Sequence, residues 1–165
     1  MPVIAAYISR LPGHPGSHLE VTLGYPENVS MDKGEVLKIT LPMGAGIDDY
    51  FEETLGGESV LVYTFHIPNE PGVRADLASI GLVYQKPTNK YMLKDVVGAL
   101  FKFLHENDLV SVDILKENLP KIVDAINSEV KLTIQAGKKK TTFDIPQFIA
   151  KRNEEIVKPL KGLWG

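Results

Sequence analysis

The 165 residues suffice for one well-buried core and fall short of two. An apolar content of 44% and a charged content of 24% exclude a disordered chain, and the lack of cysteine excludes a disulfide framework, a thiolate nucleophile and a cysteine-zinc site. The net charge of −3 is unevenly placed: residues 1–127 hold 10 Lys and Arg against 17 Asp and Glu, and residues 128–165 hold 8 against 4. An acidic body argues against nucleic-acid binding.

The opening "MPVIAAYIS" has no basic region ahead of its apolar run and alternates like a strand, not a signal peptide. No segment approaches the roughly 20 apolar residues of a membrane span, so a cytoplasmic protein is expected. Strands are expected at 2–9 and 18–25, joined by "RLPGHPG", whose prolines and glycines signal a hairpin loop. "SMDKGEVLKI" (30–39) then reads as a helix with Ser30 as its N-cap. Three more strands follow at 48–55, 58–67 and 75–85, the first two turning at Gly56-Gly57. Connections this short force antiparallel neighbours, because a parallel crossover needs a dozen residues or more.

"KYMLKDVVGALFKFLHEN" (90–107) is the clearest helix, with apolar residues over an arc of roughly 200°. "SVDILKENLPKIVDAIN" (111–127) carries a stripe only about 100° wide that stays in phase across Pro120. One kinked helix or two collinear ones are expected there. A second hairpin turning at Ala136-Gly137-Lys138 and a helix from about Gln147 complete the chain. Asp144 and Gln147 stand at capping-box spacing. Lys138, Lys139 and Lys140 read as a solvated hairpin tip, since a phosphate footprint needs many spread cations.

The corner "LPMGAGIDDYFEETLGG" (41–57) resembles a phosphate loop only in its glycines. A phosphate cradle needs Lys-Ser/Thr after them, whereas Asp48 and Asp49 would repel the anion. Asp48, Asp49, Glu52, Glu53 and Glu58 are hard oxygen ligands, but their spacing is not that of a calcium loop, and strand alternation splits them between two faces. The segment is therefore read as a corner. A small ligand- or metal-binding protein or enzyme using 48–58 stays as an alternative. Four histidines show no paired ligand spacing. A triad of Ser79, His66 and Asp76 lacks a nucleophile elbow, with Ser79 inside an apolar strand. Arg74 and Asp76 read as a surface ion pair. No catalytic residue, cofactor or metal site is expected.

The order strand-strand-helix-strand-strand-strand-helix-helix over residues 1–127 resembles the longin domain of the roadblock/longin superfamily. The resemblance rests on "VIAAYIS" and "HLEVTLGY", "SMDKGEVLKI", the "LPMGAG" corner, the meander "YFEETLGGESVLVYTFHIP…RADLASIGLVYQKP", and the two long helices. It implies an α+β fold with a five-stranded antiparallel sheet and helices packed on it. It also implies a non-enzymatic interaction module whose partners are small GTPases, subunits of membrane-traffic-type assemblies or a second copy of the chain. Residues 128–165 lie outside that core and are expected to pack on the same domain as a hairpin and amphipathic helix. A profilin-like actin binder is a lesser alternative, because profilins open with a helix and this chain opens with a strand hairpin.

Partner contacts are expected where apolar surface is in surplus. Phe101 and Phe103 extend the arc of the first long helix. Val62 lies on the second face of a strand apolar on both sides, whose cover is expected from the C-terminal segment or a partner. Ile156, Leu160 and Trp164 line the terminal helix. That helix either folds back on its own sheet, or meets a partner or a membrane surface with Lys151, Arg152, Lys158 and Lys161 outward.

Overall fold

The computed structural model describes residues 1–26, 32–41, 44–86 and 88–164, with side chains as far as Ile156. The elements run β1 (Val3–Leu11), β2 (Glu20–Tyr25), α1 (Lys33–Thr40), β3 (Tyr50–Leu55), β4 (Glu58–Ile67), β5 (Asp76–Tyr84), α2 (Lys90–Glu106), α3 (Val112–Ser128), β6 (Leu132–Ala136), β7 (Lys139–Phe143) and α4 (Ile145–Trp164).

Strands β1 to β5 form one antiparallel sheet in the order β2-β1-β5-β4-β3. The turn between β3 and β4 is Gly56-Gly57, both at positive φ, the geometry a two-residue hairpin requires. β5 comes last of the five in sequence yet lies at the centre, between β1 and β4. Its burial on both faces explains why "DLASIGLVY" is apolar almost throughout.

The two faces are covered differently. Leu61, Tyr63, Phe65 and Ile67 of β4 join Ile80 and Leu82 beneath α2 and α3 in the larger core. Val60 and Val62 join Ala5, Tyr7 and Val83 in a smaller cluster capped by Val36 and Ile39 of α1. The second face is thus covered by α1, not by the C-terminal segment or a partner as expected. About two turns of helix with two apolar anchors suffice because that cluster is small. Ser30, the expected N-cap, lies outside the described residues. Asp32 fills that position, its Oδ1 accepting from the Gly34 amide at 2.9 Å.

α3 is a single helix through Pro120, capped by Ser111, whose hydroxyl accepts from the Ile114 amide, and ended by Glu129 in the left-handed region. The hairpin β6-β7 and α4 follow. α4 starts at Ile145, earlier than its sequence suggests, and packs on α2 rather than on the sheet. Phe143 bridges Phe103 of α2 and Phe148 of α4, with ring centroids 5.3 and 6.1 Å away. That bridge explains the wide apolar arc of α2, which needs cover on its outer flank as well as from the sheet.

Candidate functional site

The corner at 44–50 is stitched to β4 by its own polar groups. The Asp48 amide donates to the Thr64 carbonyl at 2.9 Å, and the Thr64 amide returns to the Asp49 carbonyl at 3.0 Å. Asp49 Oδ2 accepts from the Gly46 amide at 2.7 Å, while the Thr64 hydroxyl donates to the Gly46 carbonyl. Asp48 adopts a left-handed φ of 63°, which aspartate tolerates better than most residues, and its Oδ1 accepts from the Tyr63 hydroxyl at 2.6 Å. Burial, reinforced by that bond, pushes the Tyr63 phenol well above its ordinary range. Glu52 turns instead to Lys90 Nζ, 3.1 Å away. Asp48, Asp49 and Glu52 are therefore committed separately, and among the described residues no group of three His, Asp or Glu is placed to hold a metal ion.

Behind this corner, at the end of β4, lies a cavity of about 430 Å³ lined by Asp48, Tyr50, Tyr63, His66, Lys102 and His105. The His66 and His105 rings stack with centroids 4.5 Å apart. Burial, then the neighbouring His105, lowers the His66 pKa. The nitrogens of His105 face the Phe101 carbonyl at 2.8 Å and the His66 carbonyl at 2.9 Å, so this ring fastens α2 to the end of β4. Phenols held protonated and a histidine occupied by backbone carbonyls suit recognition and positioning better than nucleophilic attack.

At the same end of the sheet, Asp76 is 2% exposed and does not pair with Arg74. It accepts from Arg10 Nη1 at 2.9 Å, the Gly13 amide at 2.7 Å and Asn69 Nδ2 at 2.8 Å, while Arg74 contributes only its carbonyl, to Asn69. These three donors outweigh the opposing effect of burial and hold the Asp76 carboxyl below its ordinary value. The network joins the 12–19 and 68–75 loops. Ser79 is fully buried, Asp76 is occupied and His66 stacks on His105, so the paper triad does not assemble.

The residues expected to meet a partner divide sharply. Phe101 and Val62 are fully buried, in the larger and smaller core respectively, and present nothing to a partner. Phe103 is half-buried against Phe143. Ile156 is 56% exposed, and the side chains of Leu160 and Trp164 lie outside the described residues. Arg152, expected to point outward, instead places Nε 2.9 Å from Asp95 Oδ2 on α2 and Nη1 3.0 Å from Glu155. Only the pair with Asp95 crosses the seam between α4 and α2; Glu155 lies one turn along α4 itself. Exposed apolar residues that periodicity did not single out include Tyr91, at 70%, and Ile47. Tyr91 sits on the solvent side of α2, outside its apolar arc, where periodicity gives no reason to look for a large aromatic ring.

A scan against protein-family models and a search of curated proteins found no match to this chain.

Proposed function

We propose that the chain is a protein-interaction module of longin type that binds or regulates a small GTPase, or serves as a subunit of a membrane-traffic-type assembly. The observation that supports this reading best is the element order. β-β-α-β-β-β-α-α runs from Val3 to Ser128, with one helix on one face of the sheet and two on the other. The sheet also ends in β2 and β3, whose outer edges pair with no other strand among the described residues. Free edges of this kind admit a partner strand or a second copy of the chain. No helix among the described residues is long and apolar enough to cross a membrane, so membrane contact would be peripheral, through α4.

The test is titration of the full chain against small GTPases from the same cell, each loaded with GDP or a non-hydrolysable GTP analogue, read by size exclusion with light scattering. A complex with one nucleotide state is the expected result. A chain that stays monomeric and binds neither state would overturn the reading.

A further inference from the structure

His66 and His105 meet where the end of β4 reaches the last turn of α2, and their contacts differ in kind. Both ring nitrogens of His105 face carbonyl oxygens, Nδ1 that of Phe101 at 2.8 Å and Nε2 that of His66 at 2.9 Å. A carbonyl oxygen only accepts, and a neutral imidazole has a single N–H to give. Both contacts are hydrogen bonds only in the imidazolium form, and the last turn of a helix favours a cation.

The His66 ring hydrogen-bonds no described residue and meets His105 through its face, with 29° between the planes and 4.5 Å between the centroids. A second positive charge stacked on the first would be repelled, so the pair accommodates one proton better than two. Burial, then the neighbouring His105, holds the His66 pKa below its ordinary value of 6.5.

The cavity of about 430 Å³ beside the stack leaves the His66 ring room to turn. The groups facing it there are Asp48 from the corner, Tyr50 from β3, Tyr63 from β4, and Lys102 and Glu106 from α2. Lys102 repels a protonated His66, the two phenols are held uncharged, and the Asp48 and Glu106 carboxylates attract it. Asp48 favours the proton on His66, and only its Oδ1 is taken, by the Tyr63 hydroxyl.

We propose that the two histidines form an acid-opened latch. His105 takes the first proton and ties β4 to α2; a second proton, on His66, breaks the stack and turns that ring into the cavity toward Asp48. The contribution of His66 to stability is complete above pH 6.5 and is lost as pH falls from there toward the lower folded value. The latch does not depend on the partner reading above, and either can fail without the other.

The experiment follows the histidine ring nitrogens and the backbone amides of the full chain by NMR, from about pH 7.5 to about pH 4.5. His105 should gain its second N–H first, with His66 following at least about half a pH unit lower. The largest amide movements at 46–50 should accompany the second step. Asp48→Asn keeps an oxygen for Tyr63 and suits the left-handed backbone at φ 63°, but removes the charge. It should lower the His66 midpoint by about half a unit. His105→Phe keeps an aromatic face without a charge and should raise that midpoint by about as much. If the phenylalanine variant does not fold, the order of protonation and Asp48→Asn still decide. His66 protonating with or ahead of His105, a corner that does not respond, or an unmoved His66 midpoint in either folded variant would overturn the proposal.

Discussion

At the residue scale, Asp76 shows how one buried charge organises a whole end of the sheet. Its three donors come from Arg10, Gly13 and Asn69, so its carboxylate holds two loops and a strand at once. Asp76→Asn preserves shape but removes the charge that Arg10 meets, and should cost about 2 kcal/mol in urea unfolding at neutral pH. The folded state holds this carboxyl below its ordinary value of 3.8. Its contribution is therefore complete above that value and is lost as pH falls through the lower folded value. The wild type should weaken over that acid range more steeply than the asparagine variant, as unfolding curves between pH 5 and about pH 2 would show. The sequence marked Asp76 but assigned it the wrong arginine. Arg74 is two residues away and Arg10 is 66, and neighbours in sequence carry no information about which strands lie side by side. The same blindness applies to Thr22, the extra residue where β2 bulges between Leu23, opposite Ile8, and Val21, opposite Ser9, because a bulge exists only in relation to the paired strand.

At the element scale, most boundaries could be read from periodicity, and what covers each element could not. The amphipathic arcs of α2 and α3 have the period of a helix, and the glycine pair between β3 and β4 fits only one kind of turn. The C-terminal hairpin and α4 bury Leu132, Ile134 and Ile145 almost completely, and set Phe143 and Phe148 against the outer flank of α2. Each such side chain is worth about 1.5–3 kcal/mol when fully buried. A chain ending at Asn127 should accordingly melt more than about ten degrees lower and, with Phe103 uncovered, should self-associate in light scattering. Equal stability and a monomeric state in the shortened chain would show that 128–165 is an appendage. Arg152 contributes little to this seam, because its pair with Glu155 stays within α4 and its pair with Asp95 is half-exposed and screened by solvent.

At the scale of the whole molecule, the order of elements along the chain was legible and the order of strands across the sheet was not. Placing β5 between β1 and β4 depends on pairings across most of the chain, which no local window contains. The larger core is locked from three directions, by the sheet, by α2 with α3, and by the C-terminal unit. The opposite face relies on α1, eight residues long, held by Val36, Ile39 and the Thr40 hydroxyl, which lies 2.8 Å from that of Ser9. A roof so short should lift long before the rest of the molecule unfolds. In native-state hydrogen exchange the amides of α1 should lose protection at much lower free energy than those of α2. Asp32→Ala, which strips the helix of its cap, should speed α1 exchange by about fivefold and leave α2 unchanged. Each such opening bares Val60 and Val62 to solvent for an instant, making the back of the sheet this protein's point of entry for proteases and for misassembly.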